Sequence, residues 1–258
     1  MIGIIVNQKG GVAKTTNTIH LSSALAKKGY KTLIIDFDPQ CDLSHAIGVR
    51  DDTYNIVDFL NHKDGFRLKG KSDHLFVLPG SKEFISFDYP LNALKNALHK
   101  KTQKGVSISN YFDFIFIDTP PSKIINKSSK TFPPTEVEMA LYASDFFMIP
   151  LFADDFSAKN ANIFLGSVKE FIITKNLAIK FLGFFFGRIL MTSKAKDFYI
   201  DLFKDNAKEL LFETYIRSDA EVEKAQNAGK TIFQYNPSCR ASEDYYNFTN
   251  EFLKKVGL

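Results

Sequence analysis

Tryptophan is absent from this chain of 258 residues, and cysteine occurs only at Cys41 and Cys239. The two thiols lie far apart, without metal-ligand spacing, which excludes a disulfide framework and a cysteine-ligated metal site. They read as reduced thiols of a cytoplasmic protein. Long hydrophobic runs are also missing: the most apolar stretch, Phe181 to Leu190, is too short to cross a bilayer and carries Arg188. Met1 to Val6 lack a basic leader and run into a glycine-rich loop, so they read as a strand and not as a signal peptide. Neither sign of charge dominates, with 33 Lys plus Arg against 29 Asp plus Glu and a formal charge of +4. That permits a nucleic-acid partner without arguing for one, because only a clustered basic face would do so.

What is present is an ordinary globular composition, 45% hydrophobic and 24% charged, which excludes disorder as the main state. A chain of this length can bury about three quarters of its unfolded surface. It also carries 26 phenylalanines. Such rings could stack on bases at a surface or fill core positions. Phe112, Phe114, Phe116, Phe146, Phe147 and Phe184–Phe186 all fall within expected strands, which favours the core.

Nearly continuous apolar runs predict strands at Ile2–Val6, Thr32–Phe37, Leu75–Leu78, Phe112–Ile117, Phe146–Leu151, Phe181–Leu190 and Phe212–Ile216. Helix-like segments lie between most of them: Thr15–Lys28 stopped by Gly29, Leu91–Lys101, Phe156–Ile172 and Lys194–Leu211. Thr135 and Glu138 have capping-box spacing and open a further helix. The alternation predicts an α/β fold, a doubly wound and mostly parallel sheet with helices on both faces. No repeat or linker divides the chain, so one domain over 1–258 is expected.

The strongest signal follows the first strand: Asn7-Gln8-Lys9-Gly10-Gly11-Val12-Ala13-Lys14-Thr15-Thr16. A strand, a glycine turn and a helix start aim backbone N–H groups at one point, which suits a polyphosphate. Lys14 would reach the outer phosphates and the Thr15 hydroxyl would ligate Mg²⁺. The ordinary pattern G-x-x-x-x-G-K-S/T fails at both glycines, where Gln8 and Ala13 stand. Further on, the strand Thr32–Phe37 leads into Asp36-Phe37-Asp38-Pro39-Gln40. Strand alternation would turn Asp36 and Asp38 to one side, toward the phosphate loop; alternatively these acids cap the next helix. The strand Phe112–Ile117 ends in Asp118-Thr119-Pro120-Pro121-Ser122, the arrangement in which a carboxylate holds Mg²⁺.

The string Lys-Gly-Gly-x-x-Lys-Thr-Thr resembles the deviant Walker A motif of the ParA/MinD superfamily of P-loop ATPases. The resemblance implies that ATP and Mg²⁺ bind at Lys9–Thr16, with Thr15, Asp38 and Asp118 around the metal. It also implies that Lys9 reaches across a nucleotide-sandwich homodimer and that Asp38 positions the attacking water. Asp36 would be a helper there. Ala13 departs from the family's more usual glycine. Asp38-Pro39-Gln40-Cys41-Asp42-Leu43-Ser44 is similar to the ParA/Soj partition branch, as are Ile216-Arg217-Ser218-Asp219, Glu223-Lys224-Ala225, Gly229-Lys230-Thr231-Ile232 and Tyr235-Asn236-Pro237. The chain opens at the phosphate-loop strand, so no N-terminal helix-turn-helix extension is expected.

By the same resemblance, a closed dimer would bind double-stranded DNA without sequence preference and answer to a ParB-type centromere-binding protein, cytoplasmic and associated with the nucleoid. The implied DNA contacts are Arg217, Lys194, Lys196, Lys204 and Lys208; a solvated helix face would look the same for the lysines. Hydrolysis would be slow and stimulated by the partner. A MinD-like membrane-cycling ATPase remains an alternative, since Phe252-Leu253-Lys254-Lys255-Val256-Gly257-Leu258 is apolar and basic. The run is continuous with the preceding helix and reads as its packed end, so a membrane partner is not expected. A DNA-bound scaffold that binds ATP without turnover is a second alternative, and an ATP-dependent ligase a more distant one. The stretch Lys123–Pro134 is longer than the family's usual passage. It either tunes the dimer interface or partner contact, or is a plain surface loop.

Overall fold

The computed structural model describes residues 1–49, 54–101, 105–126, 132–152, 155–190, 201 and 208–258. The expected alternation is present: β1 (Ile2–Ile5), α1 (Lys14–Lys27), β2 (Thr32–Asp36), α2 (Asp42–Ala46), α3 (Ile56–Leu60), β3 (Lys69–Gly70) and β4 (Leu75–Leu78). Then come α4 (Ala93–His99), α5 (Ile108–Tyr111), β5 (Phe114–Asp118), α6 (Glu136–Ala143), β6 (Phe146–Leu151), α7 (Asp155–Thr174) and β7 (Lys180–Phe186). After β7 the described helices are α8 (Ala220–Asn227), α9 (Ile232–Tyr235) and α10 (Arg240–Val256).

Among the described residues, seven strands form one sheet in the order β3-β4-β2-β5-β1-β6-β7, and every pairing among them is parallel except the short β3–β4 edge. Parallel neighbours need crossovers, and the helices supply them on both faces. One face buries Ile4, Ile35, Ile117 and Phe147 beneath α4, α6 and α7. The other buries Ile5, Ile34, Phe116 and Met148 beneath α1 and α10. Phenylalanine fills both layers. Phe252 of α10 lies fully buried with its ring centroid 5.7, 5.9 and 5.5 Å from those of Phe114, Phe116 and Phe146. Gly3 makes room for this cluster: a Cβ there would sit 2.1 Å from the Phe146 ring.

Two expectations are corrected. Phe212–Ile216 is not a strand; single bridges flank it, Leu211 to Phe184 of β7 and Arg217 to Ile189 beyond the end of β7. Between them the Glu213 and Thr214 amides turn away and donate to the Glu251 carboxylate at 2.7 and 2.8 Å, a side-chain substitute for the ladder. β7 stops at Phe186, short of Leu190, because Gly187 and Arg188 leave the sheet to line a cleft. The helix expected over Lys194–Leu211 falls mostly outside the described residues, and a 3₁₀ turn covers Lys208–Leu210.

The capping box of α6 forms as the spacing predicts, with Glu138 Oε2 accepting from the Thr135 amide at 3.1 Å. The buried Glu138 carboxylate does more. It accepts from the Ile125 and Asn126 amides, both at 2.6 Å, and from Asn126 Nδ2 at 2.7 Å. Asn126 Oδ1 in turn accepts from the Phe132 amide at 2.7 Å, so one carboxylate anchors both ends of the long passage after β5.

Candidate functional site

Ligands of open α/β sheets gather at the carboxyl ends of central strands. Here β1, β2 and β5 end side by side, with Asp36 in register with Asp118. Above these ends lies a cleft of about 900 Å³, within the range of small-ligand sites. Its lining includes Gly10, Gly11, Ala13, Lys14, Thr15, Thr16, Asp38 and Thr119–Ser122. Val12 is buried behind the loop and does not line the cleft.

The loop geometry follows from its residues. Gly11 has φ 73° and Ala13 has φ 60° and ψ 29°, both left-handed. For Gly11 this is free; for Ala13 it costs about 1–2 kcal/mol, so the departure from glycine is real strain. The loop is tied down by side chains: Asn7 Nδ2 donates to the Pro150 carbonyl at 3.0 Å, and Asn7 Oδ1 accepts from the Lys9 amide at 3.0 Å. Lys9 is half-buried, with Nζ 5.7 Å from the Phe152 ring centroid. Lys14 is buried. Desolvation lowers its pKa, opposed by the charges of Asp118 and Asp38.

Thr15 and Asp118 meet as the motifs predict: the Thr15 hydroxyl donates to Asp118 Oδ2 at 2.7 Å. Asp118 is fully buried, and burial, reinforced by the Asp36 charge, pushes its carboxyl up to about 8. Asp118 Oδ1 has no hydrogen-bond partner among the described residues. A buried carboxylate oxygen left open beside a threonine hydroxyl is the donor set a hard divalent cation takes, so these residues fit Mg²⁺. Asp38 lines the cleft, accepts from the Gln40 amide at 2.8 Å, and is raised mainly by burial.

Asp36 corrects the expectation that it would turn with Asp38 toward the loop. β2 ends at Asp36, so strand alternation does not carry on to Asp38. Asp36 Oδ2 instead accepts from Ser44 N at 2.9 Å and Ser44 Oγ at 2.6 Å, tying the first turn of α2 to the sheet. Burial pushes its carboxyl up to about 6. The approach is close enough that a Cβ on Gly80 would lie 2.9 Å from Asp36 Cγ.

The residues named for DNA fare differently. Lys194, Lys196 and Lys204 lie outside the described residues, and Lys208 belongs to the 3₁₀ turn. Arg217 lies on the rim of the cleft and is not a free cation. Its Nε donates to Asp244 at 3.0 and 2.9 Å, and its Nη2 to Asp244 at 2.6 Å and Glu243 at 2.9 Å. These bonds to Asp244 and Glu243 raise the guanidinium pKa further and neutralise its charge locally.

The far wall of the cleft comes from the C-terminal third: Ser218 and Asp219 lie in the family-like stretch Ile216–Asp219, whereas Gly187, Arg188, Gln226 and Tyr245 belong to none of the motifs. Gln226 Nε2 donates to Thr16 Oγ1 at 3.1 Å, a contact spanning 210 positions that no local pattern signals.

Comparison with known proteins agrees with this geometry. The AAA domain family matches residues 1–181. A ParA family protein of Chlamydia trachomatis is 30% identical, aligned over 97% of this chain and 96% of its own. The chromosome-partitioning ATPase Soj of Treponema pallidum is 26% identical over 98% of this chain and 97% of its own. Among solved structures, a putative plasmid partition protein of Borrelia burgdorferi bound to AMPPNP superposes with a TM-score of 0.76 at 21% identity, covering 98% of both chains. Sequence family, sheet order and phosphate-loop geometry thus converge, and the chain belongs to the ParA/MinD family of P-loop ATPases.

Proposed function

We propose that this chain is a ParA-type partition ATPase acting as one domain over residues 1–258. The observation that carries the reading is the meeting of Lys14, the Thr15–Asp118 pair and Asp38 around one cleft at the sheet's carboxyl edge. The loop amides and Lys14 would bind the phosphates of ATP. Thr15 and Asp118, with Asp38 nearby, would hold Mg²⁺, which when bound supplies charge neutralisation at the phosphates. Asp38 would orient the attacking water and take up its proton. Two chains would close face to face, with Lys9 completing the partner's site.

The closed homodimer would then bind double-stranded DNA non-specifically through Lys194, Lys196, Lys204 and Lys208, placing it on the nucleoid. A ParB-type protein would stimulate slow hydrolysis and release it. Similarity to ParA family and Soj proteins along nearly the whole chain supports this reading. The membrane-cycling alternative is disfavoured by Phe252, whose burial among three rings removes it from any anchoring face. No helix among the described residues is long and apolar enough to cross a membrane. The test is ATP-dependent dimerisation and DNA retention of the purified protein. Dimerisation with ATP but not ADP, followed by salt-sensitive DNA binding, is the expected result. ATP-dependent liposome binding without DNA binding would sink it.

A further inference from the structure

Asn17 stands one helical turn beyond the left-handed Ala13 and is fully buried. Its backbone N–H donates to the Ala13 carbonyl at 2.9 Å, as α1 requires, and its side-chain Nδ2 donates to the same oxygen at 2.7 Å. Asn17 Oδ1 accepts from the Tyr245 hydroxyl of α10 at 3.0 Å, in a buried contact across 228 positions. Gly187 leaves room for the amide: a Cβ there would lie 2.4 Å from Asn17 Nδ2. Three separate parts of the chain therefore converge to hold one side chain against one carbonyl.

That carbonyl matters because a peptide unit is rigid and trans. Fixing the direction of the Ala13 C=O fixes the opposite direction of the Lys14 N–H, which belongs to the same plane and opens the phosphate cradle. Glycine would adopt the turn without strain; alanine must be held there.

We propose that Asn17 is a positioning residue for nucleotide binding. It clamps the strained Ala13 turn, and through Tyr245 it makes the shape of the phosphate loop depend on the packing of the terminal helix. The proposal rests on the nucleotide-binding reading above and adds a residue that the phosphate-loop motif does not contain.

The test is ADP affinity measured by calorimetry in the presence of magnesium chloride, with the thermal midpoint of each variant recorded alongside. Asn17→Ala should weaken ADP binding about tenfold, the scale of one well-made buried hydrogen bond. Adding Ala13→Gly should restore affinity to within about threefold of wild type, because glycine needs no clamp. A merely structural asparagine would lower the thermal midpoint without this rescue. Should Asn17→Ala fail to fold, Tyr245→Phe removes only the hydroxyl and should weaken binding about threefold, again reversed by Ala13→Gly. Affinity of the single variant within about twofold of wild type, or a double variant no tighter than the single, overturns the proposal. Wild-type protein that binds no ADP overturns the nucleotide reading itself.

Discussion

Asp36 and Asp118 occupy paired positions on the neighbouring parallel strands β2 and β5, yet their carboxylates have opposite employment. Asp36 Oδ2 is engaged by the Ser44 amide and hydroxyl. Asp118 accepts a single hydroxyl from Thr15 and keeps Oδ1 without a partner among the described residues. Two buried acids side by side are costly, and both are pushed up from their ordinary values. Hydrogen bonds offset the cost at Asp36. At Asp118 the Thr15 hydroxyl and the Lys14 charge offset part of it, and the open Oδ1 is the kind of donor a divalent cation would take.

Asp118→Asn keeps the shape and removes the charge. ATP binding in EDTA should hold or tighten, because the acid that disfavours the triphosphate is gone. The gain in affinity on adding Mg²⁺ should disappear, and turnover should fall at least about a hundredfold, equivalent to about 2.7 kcal/mol of barrier. Calorimetry with and without Mg²⁺, beside a phosphate-release assay, reads both. An unchanged Mg²⁺ dependence would remove Asp118 from the metal site.

Lys14 and Asp38 should separate binding from hydrolysis. Lys14→Ala should abolish ATP binding, since it would remove the buried cation that lines the cleft and that the proposed function gives to the phosphates. Asp38→Ala should instead bind ATP and accumulate as a dimer retained on DNA, visible by light scattering and gel shift. If the Asp38 variant neither dimerises nor binds DNA, its assignment to the water is wrong.

His20 gives a pH prediction. It is fully buried, and burial alone depresses its pKa to about 3. Its Nδ1 accepts from the Ile232 amide at 3.4 Å, so protonation would set two donors face to face. The depressed folded pKa means stability is fully present above about 6.5 and is lost as pH falls from there toward 3. By pH 5 the loss is about 2 kcal/mol from this residue. Asp36 and Asp118, raised by burial, slope the other way, so the variant comparison is the measurement. His20→Asn, which keeps an acceptor near Nδ1, should flatten the acid limb of denaturant-derived stability against pH. An unchanged limb would reject the assignment.

Arg217→Ala should act on the fold before it acts on DNA. Asp244, only 9% exposed at its side chain, would lose its cation, at about 1–3 kcal/mol given the partial exposure of the pair. The thermal midpoint should fall, and Arg217→Lys should recover only part of it, because lysine cannot reproduce the bidentate contact. If Arg217→Ala keeps wild-type stability while losing DNA binding, the guanidinium is released for DNA in the closed state.

The sequence by itself determined the fold class, the phosphate loop, the Thr15–Asp118 encounter and the α6 capping box. The fold class, the loop and the capping box rest on local periodicity or spacing, and the Thr15–Asp118 encounter, across 103 positions, on the resemblance to the ParA/MinD family. It also carried the aromatic core, because strands covered on both faces announce themselves as unbroken apolar runs. Only the tertiary structure decided what Asp36 does, since strand alternation stops where β2 stops and Ser44 lies on the next helix. Only it turned Arg217 inward to Asp244, broke the expected strand at Phe212–Ile216, and brought Gln226 and Tyr245 to the phosphate-loop helix. Those outcomes depend on which distant groups share one buried space. Periodicity carries which face of an element is apolar, but not the partner that waits across the core.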